Sequence, residues 1–199
     1  MPLSMITLRR LSIPAALLAL AACSGDRAER ARAMAEAQAA KSEVRDVVTV
    51  APPAPAPPPE AFVAAAASGD AFEIASGRLG ATRAQDTRVR GFAAMLVADH
   101  TTSAAKLRKA VAESGRTLSA PDGVAGRQQA ALTELSSATA DFDRRFMEAQ
   151  VRAHEEALAL LQGYAEDGDV TSLRAFAAEA AGVVRHHLEL ARSLLEQLR

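Results

Sequence analysis

Of the four histidines in this chain, three occupy positions that helical periodicity turns inward. His100 falls within the series Val89, Phe92, Leu96, His100, Ala104, Leu107 and Val111, whose spacings of three and four define one face of a helix. His154 falls within Asp143, Met147, Val151, His154, Leu158, Leu161 and Ala165. His187 falls within Leu173, Phe176, Ala180, Val184, His187, Ala191, Leu194 and Leu198. In a further segment Phe62, Ala66, Gly69 or Asp70, Glu73, Gly77 and Gly80 share a face, which makes Glu73 the candidate carboxylate. His186 lies off its stripe and is expected in solvent.

Imidazoles and a carboxylate projecting from facing helices are how helical bundles build metal centres. The set Glu73, His100, His154 and His187, with Asp99 and Asp143 as supporting polar groups, would suit a single transition metal such as zinc, copper or iron. A second reading needs no metal. Each histidine would bond Asp99, Asp143, Glu73 or a carbonyl in a polar core layer that fixes helix register, and the layer would respond to pH.

Two tests bear on the metal. Di-iron carboxylate bundles use Glu-x-x-His pairs, but the residues three before His100, His154, His186 and His187 are Val97, Val151, Val183 and Val184. That argues against ferroxidase or oxygenase chemistry. The second test is height along the bundle. If the turns near 83 and 167 share one end, a rise of 1.5 Å per residue puts Glu73 about 15 Å, His154 about 20 Å, His100 about 25 Å and His187 about 30 Å from it. On that assumption adjacent pairs could meet, but all three histidines could not hold one ion.

The elements that must position these residues are helices. Patterns cover about 60–80, ending near Gly80, and from the N-cap Asp86 to the stop at Gly115. Residues 116–126 read as a connection with a short helix near 124–135. Long helices follow at about 139–166 and, after a Gly168-Asp169 turn and cap, at 170–198. No stretch alternates as a strand would. The expected fold is all-α, a four-helix bundle over 60–199. Gly69, Gly77, Gly80 and Gly91 form no phosphate loop and are read as sites of close helix approach. Ser136, Ser137, Thr101, Thr102 and Ser103 have no nucleophile context, so an enzyme is not indicated.

The segments Met95-Leu-Val-Ala-Asp99-His100-Thr101, Phe142-Asp143-Arg-Arg-Phe146-Met147 through Val151 to His154, and Arg185-His186-His187-Leu188 through Ala191 resemble a widespread bacterial family. Its members are ferritin-like helical proteins of unknown function, commonly described as outer membrane proteins. The resemblance covers about 60–199, with Phe62-Val63 through Glu73 and Leu79 matching the first helix. It implies a ferritin-like bundle. One departure is that relatives carry Leu-Pro before the last His-Leu, where this chain has Ala180-Ala181-Gly182-Val183.

The N-terminal segment reads as an address. Residues 1–22 carry Arg9 and Arg10, then the apolar run Leu11 to Ala22, and no acidic residue, the pattern of a secretory signal. The run is shorter than the roughly 20 apolar residues that a membrane-spanning helix needs. It ends Leu20-Ala21-Ala22-Cys23, which resembles a lipobox and implies that Cys23 is lipidated and anchors the chain in a membrane. The chain has a single Cys, so no internal disulfide can form, and lipidation accounts for the thiol. Ser24 rather than Asp after Cys23 implies the outer membrane, facing the periplasm. Residues 23–59 are expected to form a linker. Residues 24–48 would be a solvated helix or tether, and the proline-rich 51–59 a spacer of roughly 30 Å in polyproline form.

Composition excludes one class of partner. After residue 22 the chain holds 24 acidic and 21 basic residues, a net charge of −3, with no Trp and one Tyr. Neither the basic surface nor the stacking platform of a nucleic-acid binder is available. The expected contacts are the membrane, through the lipid, and an envelope protein partner. Two readings of function stand: a non-enzymatic envelope or stress-related bundle module, or a metal-binding or metal-handling protein.

Overall fold

The computed structural model describes residues 56–198. The signal segment 1–22, Cys23 and the linker up to residue 55 lie outside the described residues. Five helices and no strand are found among those described: α1 (Pro59–Arg83), α2 (Thr87–Glu113), α3 (Gly126–Ser137), α4 (Phe142–Asp167) and α5 (Thr171–Gln197). None is long and apolar enough to cross a membrane.

Local chemistry sets the helix ends. Pro59 occupies the first turn of α1, where its missing N–H costs nothing, and Glu60 sits beside the positive end of the helix dipole. The α1 helix runs through Gly80 to Arg83 rather than stopping at the glycine. Gly80 is there for space: a Cβ would lie 2.8 Å from both Ala93 Cβ and Phe146 Cζ. Asp86 caps α2 as expected, accepting from Arg88 N at 2.8 Å. Past its C-terminus Gly115 takes φ +66°, the left-handed stop that glycine adopts without strain. The α4 helix begins three residues later than its pattern suggests, because Asp141 is left-handed at φ 52°. The cap of α5 differs too. Val170 holds that position, with no side-chain bond, and Asp169 instead accepts from Tyr164 Oη at 3.3 Å and pairs with Arg116 at 3.0 Å.

The chain direction matters most for the site. The helices α1 and α2 pack as an antiparallel pair, as do α4 and α5, and α2 also packs on α5 and α1 on α4. Between the pairs, α3 carries the chain back along the outside of α1. Its first turns meet Ser68, which donates to Gln128 Oε1 at 2.7 Å. Its end meets Arg83, which donates to the Leu135 and Ser136 carbonyls at 2.9 and 2.8 Å. As a result α4 starts at the same end as α2, and the turn at 84–86 lies at the opposite end from the turn at 168–170.

Two apolar clusters fill the two ends. One gathers Phe62, Leu107, Leu161, Tyr164, Leu173 and Phe176 beside the 168–170 turn. The other gathers Phe72, Phe92, Leu96, Leu135, Phe146 and Met147, reaching the 84–86 turn. Between them the interior turns polar. Asp70, Glu73, Ser76, His100, Gln150, His154 and His187 are all buried.

Candidate metal centre

Three of the four long helices each send one imidazole into this layer. His100, His154 and His187 each offer a ring nitrogen, and these atoms all lie within 4.8 Å of one another. The rings stand 5.4 to 5.8 Å apart, centroid to centroid. The height argument from sequence is therefore corrected, and the cause is the direction of α4. With the two turns at opposite ends, 1.5 Å per residue puts Glu73, His100, His154 and His187 all between about 16 and about 21 Å from the 84–86 end.

What each imidazole does with its other nitrogen fixes its tautomer. His154 Nδ1 lies 2.9 Å from the Gln150 carbonyl. A carbonyl only accepts, so Nδ1 carries the hydrogen and Nε2 presents a lone pair. His187 Nε2 lies 2.9 Å from Asp99 Oδ2 and His100 Nδ1 lies 2.8 Å from Asp70 Oδ1. Both donate to those carboxylates. The inward atoms are then His154 Nε2, His187 Nδ1 and His100 Nε2. The first two face each other at 3.4 Å, and the third has no hydrogen-bond partner in the protein.

The charge states follow from the surroundings. Burial drives His154 down to about 3, helped by His100 and His187 and opposed by the Gln150 carbonyl. Burial also lowers His187, against the pull of its bond to Asp99. Both shifts favour the neutral rings, whose His154 Nε2 and His187 Nδ1 face each other at 3.4 Å. His100 behaves differently. Burial opposes its charge, but the bond to Asp70 and the fields of Glu73, Asp70 and Asp99 outweigh it and raise the pKa. Burial lifts Glu73 to about 7, with His100 pulling the other way.

The remaining predicted residues divide. Asp99 is in place, orienting His187. Glu73 is adjacent but is not one of the converging ligands; its Oε1 lies 3.7 Å from His154 Nδ1, the ring's outer nitrogen, and its Oε2 is unpartnered. Asp143 is not part of the layer, which corrects its reading as a supporting group. It lies in the first turn of α4 and accepts from Gln85 N at 3.0 Å and Asp86 N at 2.7 Å, tying the α1–α2 turn to α4. His186 is exposed, as its position off the stripe implied. Sequence reasoning missed Asp70 as the partner of His100 and Gln150 as the turn that orients His154. The only signal for Asp70 was its i,i+3 spacing from Glu73 on a face otherwise made of small residues.

Three bonded imidazoles with their free nitrogens converging are able to bind a cation. Pinning the outer nitrogen to a carboxylate or carbonyl is how proteins fix the tautomer and raise the basicity of histidine ligands. For ligands about 2.05 Å from a tetrahedral ion, neighbouring nitrogens lie about 3.3 Å apart. The His154–His187 separation of 3.4 Å is already close to that.

Comparison with known proteins agrees on the scaffold and is silent on the chemistry. No curated protein sequence matches the chain. Among solved structures, it is similar to a DUF305 fragment from Deinococcus radiodurans, with a TM-score of 0.60 at 16% identity, over 72% of this chain and 99% of that one. At that identity the likeness concerns the fold alone. Residues 47–194 match the family described as a domain of unknown function, DUF4142, and so take in all four long helices and the three buried histidines except the last residues of α5. The chain belongs to the DUF4142 family.

Proposed function

We propose that this protein is a lipid-anchored envelope protein whose ferritin-like four-helix bundle binds one transition metal ion through His100, His154 and His187. The observation that carries the metal reading is the convergence of one ring nitrogen from each of His100, His154 and His187 within 4.8 Å of one another, with His154 Nε2 and His187 Nδ1 3.4 Å apart. Neutral imidazole donors suit zinc, copper or iron, with copper(II) binding most tightly in open competition. The absence of Glu-x-x-His pairs still argues against di-iron chemistry. The anchor is the sequence-derived part of the proposal and rests on the apolar run ending in Leu20-Ala21-Ala22-Cys23.

Metal content by mass spectrometry, with calorimetric titration of zinc and copper(II) into chelated protein, tests the metal part. One equivalent is expected, lost in His100→Ala, His154→Ala and His187→Ala and kept in His186→Ala. Uptake that is absent, or that persists in the three variants, overturns it. For the anchor, labelled fatty acid should enter the protein in its bacterial host and fail to enter Cys23→Ala.

A further inference from the structure

Three helices supply one imidazole each, and the arrangement is close to threefold. The His154–His187, His100–His187 and His100–His154 ring centroids stand 5.4, 5.5 and 5.8 Å apart. Among the described residues no carboxylate, cysteine or further histidine brings a donor atom into the same group as the three ring nitrogens. The carboxylates of Asp70 and Asp99 stand behind the rings, on the outer nitrogens of His100 and His187. Glu73 likewise approaches His154 at its outer nitrogen, 3.7 Å away.

The converging point is also shut off from water. His154 and His187 are 1% and 0% exposed. The cavity between α1 and α4 runs past His100 and His154, but His100 Nε2 is buried and out of solvent contact. Apolar groups flank the rings along the bundle. Toward the 84–86 end, the Phe92 ring lies 6.5 Å from that of His154 and 6.4 Å from that of His187, and Leu96 is buried one turn before His100. Toward the other end, Val184 is buried one turn before His187.

Both features bear on which ion fits. Zinc with three protein ligands completes its shell with water, and copper(II) prefers a tetragonal set. Each needs a ligand that this enclosure does not supply. Copper(I) has a filled d shell and is stable with three nitrogens in one plane. For an ion about 2.0 Å from three nitrogens in their own plane, the nitrogens lie about 3.5 Å apart; His154 Nε2 and His187 Nδ1 are at 3.4 Å. Dehydration favours the same ion. The Born cost of leaving water grows with the square of the charge, so a divalent ion of equal size gives up about four times as much.

We propose that, granted the metal reading above, the ion held here is copper(I), bound by His100, His154 and His187 alone in a three-coordinate centre closed to water. Such a centre keeps the reduced ion in preference to the oxidised one, because copper(II) lacks its further ligands there.

Competition titrations on the whole, chelated protein test this. Copper(I) is offered anaerobically with excess ascorbate against bicinchoninate, a coloured copper(I) chelator, and zinc is offered separately against a zinc indicator. One equivalent of copper(I) is expected, bound at least a hundredfold more tightly than zinc and lost in His100→Ala, His154→Ala and His187→Ala. X-ray absorption of the copper(I) form should show three nitrogens and no fourth ligand. A smaller preference over zinc overturns the proposal. So does a fourth ligand in the copper shell, or a copper(II) electron paramagnetic resonance signal that persists under ascorbate. Zinc held by the three histidines with a water, as tightly as copper(I), would leave the metal reading standing and remove this inference alone. If neither ion is taken up, the metal reading itself fails and this inference falls with it.

Discussion

The bundle's apolar ends and its polar middle are built to opposite rules. At the ends, aromatic and aliphatic side chains interlock: Phe62 stacks on Tyr164 with ring centroids 3.8 Å apart, and Phe146 packs against Phe142 at 6.0 Å. Nothing there needs water or a ligand. In the middle, four buried polar atoms have no partner, all within one layer: Asp70 Oδ2, Glu73 Oε2, His100 Nε2 and Gln150 Oε1. That contrast between satisfied ends and an unsatisfied centre is what the proposed metal reading draws on. The apolar ends pack the four helices on either side of the point where the imidazoles of α2, α4 and α5 converge.

The comparison can be broken most decisively through the ligands. Replacing His154 or His187 by Ala should abolish metal binding while the far-UV helical signal persists, because the apolar ends are untouched. Loss of fold instead would mean that the middle holds the bundle together. Truncation at an end should do the reverse. Phe146→Ala is expected to destabilise the protein by about 3–5 kcal/mol, read by denaturant unfolding, and to leave one equivalent of metal bound under native conditions.

Smaller effects sharpen the boundary. Asp99→Ala frees the outer nitrogen of His187 and should weaken metal binding about ten- to hundredfold, the usual effect of losing an outer partner. Gly80→Ala forces a Cβ against Ala93 and Phe146, and overpacking of this kind costs about 1–3 kcal/mol, with metal stoichiometry unchanged.

The pH response of the chelated protein gives the most graded contrast. His154 titrates near 6.5 when unfolded but is held at about 3 when folded. The unfolded chain therefore binds the extra proton first, and stability falls as pH drops from about 6.5 toward 3. A single group of this kind contributes a slope of up to about 1.4 kcal/mol per pH unit. Glu73 has the opposite sign: raised from 4.5 to about 7, it lowers stability as pH rises through that window. Parallel denaturant titrations should show that His154→Leu reduces the acid-side loss, leaving the share of His187, whose pKa burial also lowers, and that Glu73→Gln removes the opposing slope. Tyr164→Phe, at the apolar end, should change neither slope.

Much of this was legible in the residues. The stripes that place His100, His154 and His187 inward, and His186 outward, come directly from spacings of three and four. Asp86 and Gly115 announce the ends of α2. What the stripes cannot give is which end of the bundle a helix starts from. That depends on the stretch 114–141, read as a connection with a short helix near 124–135: the whole stretch returns the chain to the 84–86 end, with the 12-residue α3 covering about 18 Å of that path, from beside Ser68 to beside Arg83. Reversing that one direction moves His187 by roughly half the bundle relative to Glu73, enough to separate or unite the site. Asp70 was hidden for another reason. The α1 helix is mostly Ala, Gly and Ser, so its inward face carries little hydrophobic contrast, and Asp70 reads as one polar residue among small ones. Asp143 shows the opposite error. It shares the stripe of His154, but at the first turn of a helix the same face meets a neighbouring turn, and its carboxylate serves the backbone there.

The most direct test of the central claim counts the ligands. X-ray absorption at the metal edge of the zinc- or copper-loaded protein should show three imidazole nitrogens at about 2.0–2.1 Å, falling to two in any of His100→Ala, His154→Ala or His187→Ala that retains metal. A shell of oxygens alone, or an imidazole count unchanged in those variants, would place the ion elsewhere and contradict the account.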